Sequence, residues 1–152
     1  LRFGRPSVPN LPSEDLSFES GQGILLQPGT DVTLVATGHL VWEALEAAKE
    51  LATEGIAAEV INLHTIKPLD DEIILNSVQK TGCLVSAEEH NYLGGMGESI
   101  ARLLSTKNPC PMEFVATQDT FGESGTPAQL MEKYGLNKNA IVQKVHALRK
   151  RI

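Results

Sequence analysis

Three clusters in this 152-residue chain gather side chains able to do chemistry: Thr37-Gly38-His39, Glu88-Glu89-His90 with the following Asn91 to Glu98, and Asp119-Thr120-Phe121-Gly122-Glu123-Ser124-Gly125. The middle cluster offers the most. A carboxylate beside an imidazole raises the basicity of the ring, so a Glu-His pair can pass a proton. Gly94-Gly95-Met96-Gly97 opens a helix, and the first backbone N–H groups of a helix can hold an anion. The same residues have a plainer use: the glycines let a helix lie close on a strand, and the charges pair across a subunit interface. Glu88, Glu89, His90, Gly94, Gly95 and Gly97 are therefore a candidate interface or anion site. The glycine spacing is not the dinucleotide-binding fingerprint, and the segment does not follow the first strand.

The remaining reactive side chains are scattered. His39 stands at a helix start, where it caps or pairs locally, His64 ends a strand run, and His146 falls on the last helix. None of the four histidines shows HxH, HxxxH or Cys-His spacing, so no metal site is assigned. Ser86, Ser99 and Ser124 lie outside any GxSxG elbow, and no residue is assigned as catalytic. Cys83 and Cys110 are 27 positions apart without CxxC spacing, the pattern of buried free thiols. Trp42 on the first long helix serves core or interface.

The elements that must position these clusters follow from hydrophobic periodicity. Gly23 to Gln27 and Val32 to Ala36 are apolar runs around Pro28-Gly29-Thr30-Asp31, which predicts a hairpin closed by a type II turn. Leu40, Val41, Ala44, Leu45, Ala48, Leu51 and Ala52 mark one helical face, stopped by Gly55. Ala58 to Leu63 is a strand; Asp70 caps a helix that closes at Gly82; Cys83 to Ala87 is a strand; Met96, Ile100, Leu103 and Leu104 mark a helix; Glu113 to Thr117 is the last strand. Thr126-Pro127 and Asn137 start two final helices. This alternation predicts a three-layer α/β/α fold with a five-stranded, mostly parallel mixed sheet whose first strand is antiparallel. In such a sheet ligands meet the carboxyl ends of the strands, where all three clusters fall.

Composition sets the outer bounds. A hydrophobic content of 41% in 152 residues suits one domain. Thirteen basic against 19 acidic residues, a net charge of -6, disfavours nucleic acid as a partner. No window approaches 18 consecutive apolar residues, and the first residues lack a basic segment followed by an apolar one and a small-residue cleavage site, so the expectation is a soluble, cytoplasmic protein without membrane contact. The chain opens at Leu1 and carries Pro6, Pro9 and Pro12 in a stretch unlike the rest. Residues 1–20 read as a connector, and the whole as a piece of something longer.

Taken in order, Asp31-Val32-Thr33-Leu34-Val35-Ala36-Thr37-Gly38, Glu54-Gly55-Ile56, Lys67-Pro68-Leu69-Asp70, Glu88-Glu89-His90 with Gly94-Gly95-Met96-Gly97, and Asp119 to Gly125 resemble the carboxyl-terminal domain of transketolase-like thiamine diphosphate enzymes. Nearly the whole chain is covered. Residues 31–104 also suit the β subunit of 2-oxo acid dehydrogenases and 1-deoxyxylulose-5-phosphate synthase. The tail, Phe121-Gly122-Glu123-Ser124 with Leu130 and Tyr134-Gly135-Leu136, is similar to transketolase, and particularly to its two-subunit bacterial form.

The resemblance implies a transferase of ketol units between sugar phosphates in the pentose phosphate pathway, with residues 21–152 as the carboxyl-terminal domain and 1–20 as linker and end of the pyrimidine-binding domain. It implies thiamine diphosphate and Mg²⁺ in the parent enzyme. The Gly-Asp-Gly and Asn-Asn signature for them is absent here, so the fragment alone is expected to bind neither and to be inactive. Its implied role is assembly with the remaining transketolase domains or an amino-terminal subunit, with homodimer contacts. Arg5, near Pro6 in Leu1-Arg2-Phe3-Gly4-Arg5-Pro6, is the implied contact for substrate phosphate, which a guanidinium fork suits. An independent regulatory anion site at the Glu88 to Gly97 cluster is the alternative.

Overall fold

The computed structural model describes residues 9–11 and 17–152, so Arg5 lies outside the described residues. The strands are β1 (Ile24–Gln27), β2 (Val32–Ala36), β3 (Ala58–Asn62), β4 (Leu84–Asn91) and β5 (Met112–Thr117). The helices are α1 (Leu40–Thr53), α2 (Asp71–Thr81), α3 (Met96–Lys107), α4 (Pro127–Lys133) and α5 (Lys138–Arg149). Successive side chains of a strand point to opposite faces, and here both faces are apolar. Leu34, Val60 and Val85 join one buried cluster with Leu40, Leu51, Ile141 and Leu148 of α1 and α5. Val35, Ile61 and Leu84 join a second with Ile74, Met96, Ile100 and Leu104 of α2 and α3. A sheet apolar on both faces needs helices on both, which gives the three layers expected.

The strand order is β1-β3-β2-β4-β5. β3, β2, β4 and β5 are parallel, while β1 runs antiparallel beside β3 with a register slip between Leu25 and Gln27. The mixed five-stranded sheet is as expected, but the predicted β1–β2 hairpin is not formed, because β3 lies between the two strands. Gly29 is not among the glycines with positive φ, so the connection is no type II turn. Instead it crosses the start of β3: Thr30 N and Asp31 N donate to Ala57 O at 3.0 and 2.9 Å. A Cβ at Gly29 would sit 2.2 Å from Ala58 C and Glu59 N. Glycine is required there for close approach.

Most helix ends follow their capping chemistry. Asp70 accepts from Ile73 N at 3.2 Å and from Gly23 N at 2.7 Å, tying α2 to the entry of β1. Gly82 closes α2 at φ 75°. Thr126 and Gln129 form a reciprocal capping box on α4. Asn137 caps α5 through Ala140 N at 2.9 Å, and Glu43 of α1 accepts from Lys138 N at 2.7 Å. No helix among the described residues is long and apolar enough to cross a membrane.

Candidate functional site

The strand expected over Cys83 to Ala87 continues to Asn91, because pairing with β5 resumes at Asn91 and Thr117 after an irregularity. Glu88, Glu89 and His90 therefore belong to β4, and strand geometry separates them. Glu88 is 3% exposed and turns toward α3, accepting from Met96 N at 2.7 Å and Gly97 N at 2.8 Å. These donors do hold an anion, and it is the chain's own carboxylate. Two charge-assisted bonds at the positive end of a helix stabilise it without a cation.

The glycines fit this arrangement closely. A Cβ at Gly95 would lie 2.5 and 2.6 Å from the Glu88 oxygens and 2.8 Å from Asn91 O. At Gly97 it would lie 2.7 Å from both Phe114 Cδ1 and Ser86 Oγ. Gly94, at φ 75° with open space around its Cβ position, turns the chain into the helix and donates its N–H to Glu98 Oε2 at 2.5 Å.

Glu89 points the other way and meets His39 Nδ1 at 3.4 Å. His39 makes no side-chain cap bond on α1, so of the two local roles expected it takes the pairing one. His90 is exposed and its Nδ1 lies 2.8 Å from Asn91 O. The structure thus joins Glu89 to His39, Glu88 to α3, and His90 to the backbone. The third cluster connects through Asn91, whose Nδ2 donates to Asp119 Oδ1 at 2.7 Å. Asp119 has φ 50°. Tyr134 holds the same loop, its hydroxyl donating to Phe121 O at 3.3 Å and accepting from Glu123 N at 3.1 Å. Sequence reasoning misses the tethers made by Asn91 and Tyr134, because no local spacing signals bonds across 28 and 13 residues.

The other reactive side chains stand apart. His64 packs on Phe18 with ring centroids 4.4 Å apart, and His146 pairs with Glu54 at 3.2 Å. Trp42 lies under Lys49 Nζ at 5.5 Å. Cys83 is buried, Cys110 half-buried, and both are free. Burial pushes both thiols up, which suppresses the nucleophilic thiolate at neutral pH. Among the described residues no three His, Cys, Asp or Glu side chains gather where they could hold a metal ion. Their donor set does not fit a Mg²⁺ diphosphate.

Comparison with known proteins agrees with this architecture. A family model described as transketolase, C-terminal domain, matches residues 21–141. The 6-deoxy-6-sulfo-D-fructose transketolase subunit SqwH of Clostridium sp. (strain MSTE9) is 46% identical over 147 residues, covering 97% of this chain and 45% of that protein. An apulose-4-phosphate transketolase subunit of Phocaeicola vulgatus is 34% identical over 142 residues, covering 93% of this chain and 45% of that protein. Among solved structures, one described as "Split gene transketolase, inactive beta4 tetramer" superposes with a TM-score of 0.91 at 46% identity, covering 95% of this chain and 48% of that one. The chain spans just under half the length of these relatives.

Proposed function

The chain belongs to the transketolase C-terminal domain family, and on that premise we propose that it is the assembly domain of a thiamine diphosphate-dependent transketolase made from two polypeptides. In this reading residues 21–152 form the domain, 1–20 join it to the pyrimidine-binding domain, and the enzyme works in the cytoplasm with a dimeric core. The diphosphate and Mg²⁺ are held by the companion polypeptide, and the pyrimidine ring by the pyrimidine-binding domain joined to this chain.

The observation that carries the non-catalytic role is Glu88. It is the buried carboxylate at the carboxyl ends of the strands, and both its oxygens are committed to the start of α3. A group so engaged braces a helix. For substrate class, the two subunits compared above are named for a sulfonated ketose and a phosphorylated one. We take the shared chemistry, a ketose with a terminal anion, as the donor, which makes the pentose phosphates one case among several. Arg5 is its proposed anion contact, since a guanidinium fork serves phosphate and sulfonate alike.

The test is turnover of 6-deoxy-6-sulfofructose and xylulose 5-phosphate, with thiamine diphosphate and Mg²⁺, by the purified chain, and by the pyrimidine-binding domain joined to it before and after adding the companion polypeptide that carries Gly-Asp-Gly and Asn-Asn. Activity is expected only after the addition, and consumption of either sugar by the chain alone sinks the reading. In the two-polypeptide enzyme Arg5→Ala raises the KM for anionic ketoses; an unchanged KM removes the Arg5 assignment.

A further inference from the structure

Residues 118–129 are exposed without a break, and α4, which begins within them, buries none of its residues. Yet the segment is firmly held. Asn91 ties down Asp119 at 2.7 Å, Tyr134 holds Phe121 O and Glu123 N, Lys133 pairs with Glu123 at 2.6 Å, and the capping box fixes Thr126 to Gln129. On this tethered loop the Phe121 side chain projects with 99% of its surface exposed. The adjoining loop, joined through Tyr92 N to Thr117 O at 3.0 Å, adds Tyr92 at 39% and Leu93 at 50%. An aromatic ring buries roughly 150–250 Å² when covered, and an ordered loop has already lost the entropy that binding would otherwise cost.

We propose that Phe121, Tyr92 and Leu93 are a docking patch for an apolar pocket rimmed by Lys or Arg on the companion polypeptide, an inference that rests on the two-polypeptide reading above. Charge selects this occupant over a second copy of the chain. Beside the patch stand Glu98, bonded to Gly94 N next to Leu93, and Asp119 and Glu123 on the Phe121 loop, with Glu123 paired to Lys133. Glu98 and Asp119 accept from the neutral donors Gly94 N and Asn91 Nδ2, which leaves their charge in place. Two such patches face to face would juxtapose these carboxylates on chains of net charge -6, whereas a basic rim turns the same field into attraction.

The experiment mixes the chain with the companion polypeptide and measures the Kd by titration calorimetry at low and high salt, for wild type, Phe121→Ala and Phe121→Asp. Sedimentation of each chain alone and thermal melting run beside it. The Phe121 side chain is exposed and its tether to Tyr134 is through the backbone carbonyl, so both variants melt as wild type does. The expected result is a loss of roughly 30-fold or more in affinity for Phe121→Ala, a larger loss for Phe121→Asp, and wild-type binding that weakens with salt. Wild-type binding left unchanged by Phe121→Ala overturns the patch while the two-polypeptide reading stands. No wild-type binding at all overturns that reading itself. Loss of self-association with companion binding intact makes the occupant a second copy and overturns the charge argument.

Discussion

The sheet buries a glutamate at each end, and the two are stabilised by different means. Glu59 near the start of β3 and Glu88 near the end of β4 are each 3% exposed. Glu59 bonds Lys80 and accepts from Gly29 N at 3.3 Å. Beside it Thr33 Oγ1 meets Ser77 Oγ at 2.6 Å and Thr81 Oγ1 at 2.7 Å. That end closes on itself through side chains from β2, β3 and α2. Glu88 has no such network and depends on two backbone donors of α3, leaving the loops beyond it to face outward. One buried carboxylate braces the interior; the other sets the angle at which a helix and its loop are presented.

Each glutamate also has a glycine that cannot carry a side chain, and these give the sharpest contrast. Gly29→Ala has the largest expected effect, because its Cβ would meet backbone atoms at 2.2 Å that cannot move aside: more than about 3 kcal/mol of lost stability, read by urea unfolding. Gly95→Ala presses on the Glu88 carboxylate and on Asn91 O; a loss of about 2–3 kcal/mol is expected. A Gly95 variant as damaging as the Gly29 one would show that the Glu88 end is no more yielding than the other. Glu88→Gln puts an NH₂ against one of two N–H donors and is expected to cost about 2 kcal/mol.

Acid probes the Glu59 end next. Burial on its own would raise the Glu59 carboxyl, but the bonds from Lys80, Ser77 and Gly29 outweigh it and hold the group below its ordinary value of 4.5. Its folded-state pKa is therefore depressed. The associated stability is fully present above the unfolded value and is lost as pH falls through the folded one, with a slope no steeper than about 1.4 kcal/mol per pH unit for one proton. Glu59→Gln removes that slope from a series of melts below pH 4.5; an unchanged slope would assign the acid sensitivity elsewhere. The smallest effect expected is from His39→Ala. Its pair with the half-exposed Glu89 contributes less than about 0.5 kcal/mol by the same unfolding measurement.

Much of this arrangement was legible in the residues and some was not, for a physical reason. Caps act within one turn, so Asp70, Gly82, Thr126-Pro127 and Asn137 mark helix ends from local chemistry. The order of motifs along the chain carried the family resemblance. Strand adjacency is a long-range property, and two apolar runs around Pro28-Gly29 look like a hairpin until β3 is found between them. Likewise Glu88-Glu89-His90-Asn91 has the polarity of a loop, and pairing with β5 is what extends β4 through it. Which way each carboxylate points then depends on strand alternation that begins several residues earlier.

The placement of β1 has a consequence for how the domain behaves in a crowded solution. An edge strand offers unpaired backbone groups to any neighbouring chain and is where sheets fuse into aggregates. Here that edge has four residues, runs against its neighbour, and slips register midway. A strand arriving from another molecule would find too short and too uneven a row to continue the sheet, so β1 works as a selvedge against unravelling into fibrils.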